Sequence, residues 1–186
     1  MENLNGPYLR ELKLSDVYDF KSWDKHDSIL YEDYNFIENT DEEIKKWYKW
    51  KMSISFSEYY AIIYDNRAIG YISLKNINKI LNTATIGVAM DPKFTNRGIG
   101  TRVLNDFLED LKLKGFRSIY LYVASYNKRA LNVYKKLGFK KKFSFIMKFN
   151  NGYLDEKNED FIKYRDCFKI MLNRTFFYAY KMEKKF

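Results

Sequence analysis

The chain has 186 residues, of which 46% are hydrophobic, and carries a formal net charge of +9. This length suits a single domain over residues 1–186 with room for a real core, and no apolar run approaches the ~20 residues that span a bilayer, so no membrane partner is expected. The lone cysteine, Cys167, excludes an internal disulfide framework and fits a reducing cytosol, so a cytoplasmic location is expected.

The first residues, MENLNGPYLR, lack a basic start followed by an apolar stretch, and export is not expected. The positive charge invites a nucleic-acid reading. The lysines are scattered among asparagines without a recognition motif, however, and a solvated lysine-rich surface is the commoner explanation. Nucleic acid is therefore not an expected partner.

In chain order, Tyr8 to Lys13 reads as a first strand, and Ser15 as the N-cap of a helix through Val17 and Phe20 that Trp23 closes. From Asp24 to Asn39 the periodicity fades into a polar and aromatic stretch. Thr40 and Glu43 then form a capping box that opens a helix carrying Ile44, Trp47 and Tyr48. The stretch is acidic on a basic protein. Either its carboxylates form a rim that attracts a cation or they are ordinary solvated groups; Asp41, Glu42 and Glu43 favour the positive end of their own helix. Glu32 and Asp33 are candidate acceptor-binding residues on the first reading.

Tyr59 to Tyr64 and Ala68 to Leu74 read as a hairpin turned at Asp65, Asn66 and Arg67. A loose connection, residues 75–82, leads to a strand over Thr83 to Met90. The next segment, IGVAMDPKFTNRGIGTRVLNDFLEDL, goes strand, loop, helix: Ile86, Val88 and Met90 alternate, whereas Ile99, Val103, Leu104, Phe107, Leu108 and Leu111 share a helical face. Lys114 and Gly115 stop that helix, and Ser118 to Ala124 is a buried strand, which makes a right-handed parallel βαβ unit. A helix from about Asn127 to Gly138 and a strand over Lys141 to Phe149 follow. Asn150, Asn151 and Gly152 mark a turn, Phe161 to Leu172 a short helix, and Thr175 to Met182 a final strand.

Gly98 and Gly100 at a helix entrance let the backbone approach a ligand closely, and free N–H groups there attract anions. This is either a phosphate cradle or a plain strand-to-helix turn. The chain has no GxxxxGK(S/T), and GxGxxG fails at Val103. The segment resembles the acetyl-CoA-binding motif of the GNAT superfamily of N-acetyltransferases, (Q/R)xxGx(G/A) after a strand ending near a proline. Gly98 and Gly100 fill the glycine places, Arg97 is a common neighbour, and Thr95 stands where Gln or Arg is typical. A second stretch, NKRALNVYKKLGF from Asn127 to Phe139, matches the family pattern NxxAxxxYxxxGF at every named position.

The resemblance implies the acyl-CoA N-acyltransferase fold, a mixed α/β sheet of six to seven strands flanked by about four helices. The family's last two strands form a closing hairpin, so residues from about 150 to 173 read as an insertion before the final strand. It implies acetyl-CoA or coenzyme A as cofactor. Val88 and Met90 would pair with the pantetheine, the N–H groups of Arg97, Gly98, Ile99, Gly100 and Thr101 would hold the pyrophosphate, Asn127 would contact the pantetheine arm, and Tyr134 would protonate the departing thiolate. Arg97, Arg102 and Lys128 are either charge partners for the phosphates or solvated side chains.

The glutamate that many relatives carry on the fourth strand is replaced by Thr85, so the proton acceptor is either a loop acid such as Glu32 or Asp33, a water chain, or unnecessary because the amine arrives neutral. An α-amino group near ~7.7 to 8.0 is partly neutral at pH 7, whereas a lysine near ~10.4 is not. His26, the only histidine, is expected at the surface, and neither a histidine-based triad nor a metal site has the residues it needs. The expected activity is transfer of acetyl to a primary amine by direct attack in a ternary complex. The acceptor is a small cationic amine or a protein N-terminus, and the protein a monomer or homodimer. A non-catalytic CoA-binding sensor or interaction module is the alternative.

Overall fold

In a computed structural model, residues 6–149 and 155–186 are described. Their strands form one mixed sheet in the order β1-β2-β3-β4-β5-β8-β6, with β7 paired to β8. The strands are β1 Tyr8–Glu11, β2 Glu58–Tyr64, β3 Arg67–Asn78, β4 Thr83–Met90, β5 Ser118–Ala124, β6 Lys140–Lys148, β7 Phe168–Met171 and β8 Arg174–Lys185. The helices are α1 Leu14–Phe20, α2 Asp41–Ser53, α3 Ile99–Leu113, α4 Lys128–Lys136 and α5 Glu159–Lys163. No helix among the described residues is long and apolar enough to cross a membrane.

The strand alternation sends each β2 and β3 side chain to one of two helical layers. Ile62, Ile72 and Leu74 meet Val103, Leu104, Phe107, Leu108 and Leu111 of α3 on one face. On the other, Tyr59, Ala61 and Ile63 meet Val17 and Phe20 of α1 and Ile44 of α2. The apolar positions of α3 recur at helical spacing, so one face of the helix is removed from water along its length. β4, α3 and β5 form the expected parallel unit, paired at Thr83–Ser118, Ala84–Ile119 and Thr85–Tyr120.

Several expectations need correction. α1 starts at Leu14, with Lys13 rather than Ser15 at its N-cap. The reason is Asp16, whose carboxylate accepts the Lys13 N–H at 2.7 Å and both terminal guanidinium nitrogens of Arg10 at 2.7 and 2.6 Å. This forked pairing raises the Arg10 pKa and ties β1 to the helix it precedes. The helix ends at Phe20, and Trp23 lies beyond it, its indole donating to the Ala68 carbonyl at 2.9 Å. β3 continues to Asn78 where a loose connection was expected; there the Asn78 side chain accepts from the Ile80 and Leu81 amides and makes the turn.

The largest departure lies between β6 and β8. Residues 161–172 are not one helix: α5 is followed by a 3-10 turn over Arg165–Cys167 and then by β7, which raises the strands to eight. Leu172 and Asn173 both take positive φ, the two-residue geometry that joins twisted antiparallel strands, so β7 folds back on β8. The turn expected at Asn150, Asn151 and Gly152 lies outside the described residues. These elements bury Phe161, Cys167 and Phe168 with Leu30, Ala124, Tyr126 and Phe149 as a third cluster.

Leu108 is fully buried against the sheet. Leu108→Ala is expected to cost about 2–5 kcal/mol, read as a lower urea midpoint at unchanged slope.

Candidate active site

Pairing between β4 and β5 stops at Thr85 and Tyr120, and beyond it the strands part. The β4 edge from Ile86 to Met90 then faces an opening instead of a strand. A cavity of about 290 Å³ occupies this wedge, walled by Ile86 to Met90 on one side and Tyr122 and Val123 on the other. Both helices that follow these strands begin at its mouth, so their positive dipole ends gather there, with the unpaired N–H groups on the α3 side.

The α3 entrance is shaped by backbone conformation. Asn96 and Gly98 take φ of 60° and 77°, and Gly98 is the N-cap. The first helical bond runs from the Arg102 amide to the Gly98 carbonyl at 3.0 Å, which leaves the amides of Ile99, Gly100 and Thr101 ahead of the ladder. A Cβ on Gly98 would meet nothing within 4 Å, so glycine is required there by φ and not by crowding. The open space over this turn and the row of amides suit a phosphate-bearing ligand.

At the α4 entrance Asn127 is buried and does two things. Its Oδ1 accepts the Ala130 amide at 3.1 Å, capping the helix, and its side chain lines the cavity together with Tyr34. Two turns on, Tyr134 reaches the same cavity and packs edge-on against Phe139 at 5.9 Å. Burial pushes the Tyr134 phenol up well beyond the usual tyrosine range; nearby Tyr34 adds to this and Arg129 opposes it. The phenol therefore keeps its proton at neutral pH.

Of the residues expected at the site, Val88, Met90, Gly98, Gly100, Thr101, Asn127 and Tyr134 line the cavity together. Arg97 and Ile99 do not; Arg97 is exposed and stacks over Phe94 at 5.5 Å. Lys128 donates to the Cys167 sulfur at 3.7 Å. Glu32 and Asp33 sit on an exposed 3-10 turn, Ile29–Tyr34, and neither lines the cavity. Thr85 is also absent from the lining, held in the ladder between Lys75 and Tyr120.

His26, expected at the surface, is half-buried and lines the cavity, as do Tyr31, Tyr34 and Arg129. The sequence did carry a trace of them: Tyr31 and Tyr34 are three residues apart, one 3-10 turn, and Arg129 lies inside the Asn127 signature. What brings them in is Asp91, whose buried carboxylate accepts the Lys93 amide at 2.9 Å and the Asp24 amide at 3.2 Å, pinning the start of the loop to the end of β4. On the far side Ser28 donates to Asp160 at 2.6 Å and Leu30 is buried in the third cluster.

The profile of the acetyltransferase (GNAT) family matches residues 21–139. An uncharacterised N-acetyltransferase of Methanocaldococcus jannaschii is 32% identical over 107 residues, 53% of this chain and 47% of that protein. A [ribosomal protein bS18]-alanine N-acetyltransferase of Salmonella typhimurium is 34% identical over 61 residues, 32% of this chain and 41% of that protein. The chain thus spans less than half the length of these curated relatives. Among solved structures, spermidine N-acetyltransferase from Vibrio cholerae, in complex with CoA and spermine, superposes with a TM-score of 0.69 at 16% identity, over 96% of this chain and 95% of that one. A GNAT-family acetyltransferase from Streptococcus pneumoniae gives 0.61 at 16% identity, over 97% and 99%. At these identities the likeness speaks for the fold.

Asn127→Ala removes the α4 cap, and is expected to cost about 1 kcal/mol in urea denaturation. Asn127→Asp, which keeps a capping oxygen, is expected to recover most of that loss.

Proposed function

As the chain belongs to the acetyltransferase (GNAT) family, we propose that it is an acetyl-CoA-dependent N-acetyltransferase acting on a primary amine by direct attack in a ternary complex. The observation that carries this reading is the convergence on one cavity of the glycine turn, the bare edge of β4 and the Tyr134 phenol. Bound acetyl-CoA supplies the activated acetyl group as a thioester. The cavity's size, near the ~300 Å³ lower bound of ligand pockets, suits a narrow thiol-bearing arm and the amine end of an acceptor, with the nucleotide end outside along the α3 entrance.

Each residue has a role that its setting supports. The amides of Ile99, Gly100 and Thr101 bind diphosphate oxygens without a charged side chain. The strand edge at Val88 and Met90 orients the arm by backbone pairing. Tyr134, kept protonated by its burial, donates to the departing sulfur; the burial that raises the phenol also destabilises the thiolate charge, so the sulfur takes up the proton as it leaves.

Among the described residues no Asp or Glu lines the cavity, and Arg129 is its one permanent charge. A polyamine would meet no carboxylate there. The lining favours a weakly basic amine such as a peptide α-amine, the class named for the Salmonella typhimurium relative, over the class named for the Vibrio cholerae structure.

Incubation with acetyl-CoA and amine acceptors, followed by detection of free thiol, tests the reading: a peptide with a free N-terminal alanine is expected to outpace spermidine. Tight CoA binding with no thiol released by any amine would support a binding module instead. Tyr134→Phe is expected to lower kcat by about 10²-fold with the KM for acetyl-CoA little changed, and unchanged turnover would remove Tyr134 from the mechanism.

A further inference from the structure

Forming an amide from an ammonium group requires a proton acceptor active near neutral pH. Thr85 has no such chemistry, and Glu32 and Asp33 lie outside the cavity. The titratable groups that do line it are His26, Arg129 and the tyrosines at 31, 34, 122 and 134. Phenols hold their proton at pH 7 and a guanidinium has no free pair to offer. That leaves the imidazole.

We propose that His26 is the catalytic proton acceptor, a loop imidazole standing in for the missing strand carboxylate. The assignment rests on the N-acetyltransferase reading and adds a residue and a preferred acceptor to it.

The geometry suits the task. The His26 amide donates to the Asn35 side chain at 2.8 Å, which closes the loop on itself. The ring packs 5.5 Å from Tyr31 and 6.3 Å from Tyr34. Tyr34 lines the same cavity as Asn127, so aromatic contacts run from the imidazole toward the α4 entrance. The groups facing it are Arg129 from α4, Asp27 from its own loop and Asp91 from the end of β4. Burial, then Arg129, lower its pKa below the ordinary 6.5, against the pull of Asp27 and Asp91. The ring is neutral at pH 7, with a lone pair available.

In the step, His26 takes a proton from the acceptor's ammonium, which frees the nitrogen lone pair. The new C–N bond forms as the C–S bond breaks, with the electron pair leaving on sulfur. Tyr134 gives the sulfur its phenolic proton and is reprotonated by the proton shed from the new amide nitrogen, and the imidazolium returns its proton to solvent. A base below 6.5 is closer to an α-ammonium near ~8 than to a lysine near ~10.4, so it favours the former.

The test compares wild type with His26→Gln, using acetyl-CoA and a hexapeptide with a free N-terminal alanine from pH 5.5 to 9. The variant is expected to lose about 30-fold or more in kcat, to keep its KM for acetyl-CoA within about threefold, and to move the acid fall in kcat/KM from below the ordinary imidazole range up to the alanine amine's own pKa near ~8. Added imidazole is expected to restore part of the rate to His26→Ala. Circular dichroism and CoA calorimetry matching the wild type certify that the variants fold. As the only histidine, His26 gives one imidazole signal in NMR, which saturating CoA is expected to shift. A His26→Gln enzyme with wild-type turnover and acid limb, or an imidazole signal blind to CoA, would overturn the assignment while leaving acetyl transfer intact. A wild type that releases no thiol with the alanine peptide, spermidine or a lysine peptide would overturn the underlying activity and the assignment with it.

Discussion

The structure depends on two parallel strands that begin as neighbours and then separate. β4 and β5 share pairing over only three residues of each, from Thr83–Ser118 to Thr85–Tyr120. Past that point backbone groups that would satisfy one another in a continuous sheet are left facing an opening. A right-handed crossover places α3 after β4 and the next turn of chain places α4 after β5, so both helix N-termini fall at the carboxyl ends of the parted strands. The cavity is therefore bordered by the free edge of β4 and the open amides of the α3 entrance, with Arg129 its one permanently charged side chain. That is the electrostatic setting a polyanionic coenzyme with an amide-rich arm would need.

The remaining wall comes from outside this core. The segment between α1 and α2 has little regular structure of its own beyond one 3-10 turn, and it is held by contacts at both ends. Asp91 grips its start through the Asp24 amide, and the segment before β8 grips its middle through Asp160 and the Leu30 pocket. Tyr126 bridges the two, stacked on Phe168 at 5.4 Å and edge-on to Tyr31 at 6.0 Å. The segment from α5 to β7 thus buttresses the loop that carries His26, Tyr31 and Tyr34.

Within this enclosure one physical cause has opposite consequences for two groups. Desolvation disfavours the charged form of any side chain. It therefore keeps the Tyr134 phenol protonated and the His26 imidazole unprotonated at the same pH. A pair of groups driven apart in this way is what proton transfer in both directions requires, one to give and one to receive. Arg129 acts on both in the same sense, lowering each, and it modulates the separation without creating it.

The hydrophobic period and the turn chemistry are local properties, and what rests on them was legible in the sequence. The amphipathic α3, the Thr40–Glu43 capping box, the stops at Gly115 and Gly138 with their positive φ, and β5 to the residue all follow from neighbours in the chain. So does the clustering of Gly98, Gly100, Asn127 and Tyr134, because two signatures in order around a βαβ unit leave little choice of placement. Elements without a period were misread: β7 hid inside an apolar stretch that serves helix or strand equally well, and Arg10 displaced the expected Ser15 cap through a pairing across six residues. The acidic loop shows the limit most clearly. Its sequence advertised Glu32 and Asp33, yet its aromatic and histidine side chains line the cavity while those two residues do not. Which side of an irregular loop turns inward is decided by distant groups, here Asp91 and the segment from α5 to β7, and only the folded chain brings them together.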